Sequence, residues 1–138
     1  MMKKVLPILL ILFLAITSLL FASLTLQFFT AKSTGDAILV EWKTLDEGGT
    51  QHFELERSAN TPDNFTIIKT INATGNNSYY SVLDNGINGR NNLSSSIYYY
   101  RLKCVLPGGA YSYTNIISVT HSVSGIKSTW GSIKAIFR

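Results

Sequence analysis

From Ser23 to Thr120 apolar residues recur at every second position, and that period places side chains on alternate faces of an extended strand. Ile38, Val40 and Trp42 fall on one face of such a segment, with Leu39, Glu41 and Lys43 on the other. Clusters of Gly, Pro, Asn and Asp interrupt the alternation about every ten to fifteen residues, the rhythm of short antiparallel strands joined by turns. A chain built this way closes into two stacked sheets around one core.

Seven strands are predicted, at 23–32, 37–44, 52–58 and 65–71, around Tyr80, Val82 and Asp84, and at 97–106 and 110–120. Phe53 and Leu55 point inward on the third, with Glu54 and Glu56 outward. Tyr98, Tyr100, Leu102 and Cys104 share one face of the sixth, and Tyr99, Arg101, Lys103 and Val105 the other. Pro107-Gly108-Gly109 reverses the chain into the seventh, because Pro presets φ and Gly accepts positive φ. Asn85 to Ser96 is polar and forms the longest loop. The 138 residues suffice for one such domain and a short appendage.

The chain opens Met1-Met2-Lys3-Lys4 and continues without a charge from Val5 to Ala22, the basic and apolar regions of a secretory signal. Cleavage is expected after Ala22. The apolar run approaches the roughly 20 residues that span a bilayer, so an uncleaved anchor is the rival reading. Strand alternation already begins at Ser23, which favours cleavage.

The formal charge of +4 would suggest an anionic partner if it were spread over the domain. Lys3 and Lys4 lie in the signal, and Lys127, Lys134 and Arg138 lie near the C-terminus. Between Ser23 and Thr120 the basic and acidic residues nearly balance, so nucleic-acid binding is not expected. The single cysteine, Cys104, excludes an intrachain disulfide, and its strand spacing from Leu102 marks it as a buried small hydrophobe rather than a reactive thiol.

Four segments occur together in a consistent order: Val40-Glu41-Trp42-Lys43-Thr44, Phe53-Glu54-Leu55-Glu56-Arg57-Ser58, Tyr99-Tyr100-Arg101-Leu102-Lys103 and Tyr113-Thr114-Asn115-Ile116-Ile117-Ser118-Val119. Together they resemble the fibronectin type III-like, immunoglobulin-like module of exported proteins of Bacteroidetes, Ignavibacteria and their relatives. That module often precedes a type IX secretion sorting domain. The resemblance implies a seven-stranded antiparallel β-sandwich in which Trp42 is the core tryptophan of the second strand and Tyr100 and Leu102 belong to the core pattern of the sixth. Relatives usually carry an acidic turn where this chain has Leu106-Pro107-Gly108-Gly109, so no turn-bound cation is expected there. The 138-residue sequence leaves too little after Thr120 for the sorting domain.

In the final segment Ile126, Trp130, Ile133 and Phe137 recur at helical spacing, with Lys127, Lys134 and Arg138 among them. Trp130, Ile133, Lys134, Phe137 and Arg138 are the candidate recognition residues, for export machinery or a membrane surface. A frayed or disordered end is the alternative, since Gly131 interrupts the pattern at a cost of about 1 kcal/mol.

Catalysis needs converging groups, and His52, His121 and Cys104 share no motif that would pair them. The sequence contains no nucleophile elbow, zinc-protease helix or phosphate loop. Asp46-Glu47-Gly48-Gly49 reads as a solvated turn rather than a calcium site, because calcium takes six or more oxygens. In such a fold the third strand neighbours the sixth, so Glu54 and Glu56 are expected to face Arg101 and Lys103 as a cross-strand ion-pair ladder rather than form a charged binding face. Tyr79, Tyr99 and Tyr111 are the tyrosines expected to point outward, and three aligned aromatics would suit a carbohydrate-binding face.

The expected organisation is a signal peptide at 1–22, a sandwich at 23–120 and a basic amphipathic tail at 121–138. The expected role is a non-enzymatic spacer, adhesion or accessory module in the periplasm, at the cell surface or outside the cell. Its partner is expected to be a protein or cell-surface component, with no cofactor and no metal. Membrane contact is expected only through the signal or the tail.

Overall fold

A computed structural model describes residues 23–87 and 95–122. The expected signal segment and the tail candidates Trp130, Ile133, Lys134, Phe137 and Arg138 lie outside the described residues, as does part of the loop after Ile87. The described chain is all-β, with eight strands: β1 (Thr25–Thr34), β2 (Ala37–Asp46), β3 (His52–Ala59), β4 (Thr66–Asn72), β5 (Tyr79–Asp84), β6 (Ser96–Val105), β7 (Tyr111–Tyr113) and β8 (Ile117–His121). One sheet has the order β1-β2-β5; in the other, β4-β3-β6 is extended by β7 and β8, which both pair with β6. Every pairing is antiparallel.

The alternation read from the sequence becomes the core. Ile38, Val40, Trp42 and Thr44 of β2 are fully buried, as are Phe53 and Leu55 of β3 and Tyr100 and Leu102 of β6. Register carries this across the strands, setting Trp42 between Phe29 and Tyr80 in one sheet and Leu55 beside Leu102 in the other. Trp42 stacks on Tyr80 at 5.1 Å between centroids and meets Phe53 edge-on at 6.0 Å. Such aromatic pairs add about 0.5–1.5 kcal/mol each beyond the area they bury.

The expected seventh strand is two strands. Tyr113 pairs with Lys103 and Ile117 with Tyr100, so three residues, Thr114 to Ile116, oppose only Arg101 and Leu102. One residue is in excess, and the ladder breaks there as it does at any bulge. Thr114 bridges the break, because its amide donates to the Leu102 carbonyl and its hydroxyl accepts from the Leu102 amide, both at 3.0 Å. The turn before β7 follows expectation, with Gly108 at φ 92° and Gly109 at φ 94°. β8 ends at His121, whose buried ring bonds the Ser33 hydroxyl of β1 at 2.8 Å through Nδ1.

Candidate functional site

The outer face of the larger sheet carries the densest group of charged and aromatic side chains. Period-two alternation turns Glu54 and Glu56 away from the core, and the β3–β6 register sets them directly opposite Lys103 and Arg101. Arg101 Nε donates to Glu56 Oε2 at 2.6 Å, and Lys103 Nζ lies 2.9 Å from Glu54 Oε2. The expected ion-pair ladder is therefore present. His52 Nε2 stands 3.5 Å from the other oxygen of Glu54. The hydrogen bond from Lys103 holds the Glu54 carboxyl below its usual pKa, and the same bond raises that of Lys103.

Aromatic rings enclose this ladder. The Arg101 guanidinium lies between Phe65 and Tyr113, with its carbon 4.1 Å and 3.9 Å from the two ring centroids, and Lys103 Nζ sits 4.7 Å from the centre of Tyr111. Glu56 is on the outer face as expected, yet its place in the ladder leaves it only 6% exposed. Tyr79 and Tyr111 are exposed as expected, and Tyr99 is half-buried. Phe65 and Tyr113 were not singled out by sequence reasoning. Tyr113 stands two positions from Tyr111 on β7 and shares its face, which the period of two could have revealed, but Phe65 lies in the turn before β4 and no local pattern points to it.

Two inward carboxylates tie separate segments together. Asp84 of β5 accepts from Arg57 Nη1 of β3 at 2.7 and 2.8 Å, from the Tyr100 hydroxyl of β6 at 2.8 Å and from the Gly86 amide at 3.0 Å. These bonds join the two sheets. Burial, then the bond to Asp84, pushes the Tyr100 hydroxyl far above the ordinary tyrosine pKa. At the other carboxylate, the expected solvated turn holds for the exposed Asp46 but not for Glu47, which is only 4% exposed. Its Oε1 accepts from the Tyr80 hydroxyl at 2.5 Å and the Thr44 hydroxyl at 3.3 Å, and its Oε2 from the Gly75 amide at 2.9 Å. Oε2 thus clasps the β2–β3 loop to the β4–β5 loop, while Oε1 ties it to β5 and β2.

Cys104 is buried as expected, and desolvation raises its thiol pKa to about 12. Its neighbour Phe53 is inward, so His52, next along β3, lies on the opposite face from the thiol. Among the described residues no group of three or more His, Cys, Asp or Glu side chains is placed to hold a metal ion. None of the described residues forms a helix long and apolar enough to cross a membrane. Two clefts open on the flanks of the sandwich. One, of about 520 Å³, lies between β4 and β5; the other, of about 620 Å³, lies between the start of β1 and β7. No protein family, curated protein or solved structure matches the chain.

Proposed function

We propose that the chain is an exported, non-catalytic module of the fibronectin type III-like kind, serving a bacterial protein assembly outside the cytoplasm as a spacer, adhesion element or accessory domain. The observation that carries the role is the broad face of the larger sheet, where cations, carboxylates and rings satisfy one another. Arg101 is held by Glu56, Phe65 and Tyr113 together, an arrangement that stiffens a sheet and leaves no convergent set of free groups around a reacting atom.

The family reading is supported by strand order, with β4 hydrogen-bonded to β3 rather than to β5. It is supported also by the tryptophan at the centre of β2 and by the Tyr98 hydroxyl, which donates to the Ile87 carbonyl at 3.2 Å across the β5–β6 connection. A tyrosine bonded back to the backbone at that corner is a hallmark of immunoglobulin-like sandwiches. Export is supported by the charged start and apolar run before Ser23.

A carbohydrate-binding module is the second reading, favoured by Phe65, Tyr111 and Tyr113 sharing the exposed face. Their geometry weakens it. Tyr111 and Tyr113 stand at 70° to each other, whereas a sugar platform needs rings lying flat along the surface, and each of the three rings already has a cation on one side.

The test is cross-linking on intact cells of the host, together with passage of the purified protein over immobilised polysaccharides. The expected result is a cross-linked protein partner at the surface or in the periplasm and no retention on polysaccharide. Recovery from the cytoplasm would overturn export. Retention on polysaccharide that is abolished by Tyr111→Ala and Tyr113→Ala would replace this role with the second reading.

A further inference from the structure

Sheet edges present unpaired backbone donors and acceptors to any passing strand, and soluble proteins ordinarily guard them with bulges, charges, proline or brevity. Among the described strands three edges are guarded in this way, and a further one, β8, exposes only Ser118 and Thr120, with no large apolar side chain. β1 carries register shifts around Leu26 and an outward Lys32, β4 carries a register shift and an exposed Lys69, and β7 is only three residues long. β5 is different. It pairs with β2 on one side only, runs Tyr79–Asp84 in unbroken register, and contains no proline. Its one charge, Asp84, is turned inward onto Arg57.

We infer that the free edge of β5 is a self-association surface, where β5 of a second copy of this chain adds antiparallel about a two-fold axis at Ser81. The strand is self-complementary in that register. Tyr79 meets Leu83 of the second copy, Tyr80 meets Val82, and Ser81 meets its own counterpart, so an aromatic–aliphatic pair closes each end of the outer face around a hydroxyl pair at the centre. Tyr79 and Leu83 are 56% and 53% exposed in the single chain; the Tyr79 ring rests against Phe28 with its hydroxyl on Glu41, so it is already ordered and presents its exposed surface to the second copy.

Charge and packing favour a second copy as the occupant. The edge from Tyr79 to Leu83 is uncharged, so two copies meet without like charges opposed. The cleft of about 520 Å³ beside β5 leaves Ile68, Ile71 and Val82 only partly covered, and a strand added to β5 shields that flank. The size of the contact sets its strength. Stable dimers bury roughly 1,200–2,000 Å² in total, and a six-residue edge with two exposed apolar side chains falls short of that, so the association is weak and concentration-dependent.

Sedimentation velocity of the protein purified from its host, over a rising concentration series, tests the pairing. Ser81→Lys is the informative variant. Ser81 stands opposite Glu41 within its own sheet, so the lysine is accommodated in the monomer, but across the two-fold axis it faces another lysine. Thr30→Lys, opposite the same Glu41 from β1, is the control. The expected result is a monomer–dimer equilibrium for the native chain and for Thr30→Lys, shifted at least tenfold toward monomer in Ser81→Lys. In parallel, Ser81→Cys should form a disulfide-linked dimer on oxidation and Thr30→Cys should not, the native Cys104 being buried. A monomer at every concentration, with no linked Ser81→Cys dimer, overturns the inference and leaves an extended segment of another protein as the candidate occupant. Association that survives Ser81→Lys unchanged overturns it by placing the contact elsewhere.

Discussion

Trp42 contributes to three aromatic contacts at once, with Tyr80, Phe53 and Phe29, and is fully buried. Its truncation to alanine should cost about 3–5 kcal/mol, the range for large aromatic residues removed from a core. Tyr99→Ala, on the opposite face of β6 from the core, should cost much less, and the denaturant midpoints of the two variants measure the difference. Cys104 should resist alkylation at neutral pH, since burial keeps its thiol protonated up to about pH 12. Iodoacetamide labelling should therefore track global unfolding, appearing only when denaturant opens the core. The ladder adds a small acid-sensitive contribution. Glu54 has its pKa lowered by the bond from Lys103, so its stabilisation is present above the unfolded value of 4.5 and is lost as pH falls through the lower folded value. Lys103→Met should remove that contribution near neutrality, so its stability deficit relative to the native chain should shrink as pH falls, which denaturation curves across pH measure.

Strand ends carry their own predictions, and β8 is the informative element. His121 lies at its last position, buried and bonded to Ser33 of β1, so the strand fastens one sheet to the other at that end. The sequence reading ended the sandwich at Thr120, one residue short of this contact. A chain ending at Thr120 should be less stable than one ending at Ser122, because it loses the hydrogen bond and the covering ring, a penalty of about 1 kcal/mol or more. Paired chemical denaturation curves decide between them. The division of the expected seventh strand into β7 and β8 belongs to the same scale. Both halves alternate correctly, so no local pattern betrays the extra residue at Thr114 to Ile116, which becomes visible only once each half is paired with β6.

With no disulfide available, the two sheets are held by the shared core and by side chains that cross between them. Asp84 is the principal crossing group, with partners on β3 and β6. Asp84→Ala should destabilise by about 2–4 kcal/mol, because it strands the inward Arg57 and the buried Tyr100 hydroxyl without their acceptor, and thermal melts of the variant measure the loss. The alternation of residues 23–120 by itself determined an all-β, two-sheet chain, its inward face through Trp42, Phe53, Leu55, Tyr100 and Leu102, and the outward facing of Glu54, Glu56, Arg101 and Lys103. Those features follow from a period of two, which sets the face of every residue once a strand is assigned. Tertiary structure alone decided that Glu47 is buried, that Phe65 and Tyr113 enclose Arg101, and that β5 is left at a sheet edge with Tyr79 and Leu83 exposed. Glu47 and Tyr80 are 33 positions apart and Glu56 and Arg101 are 45 apart. A local period assigns a residue to a face but carries no record of which distant loop or strand arrives to cover it, so the solvated or buried state of each carboxylate is settled only when the two sheets close.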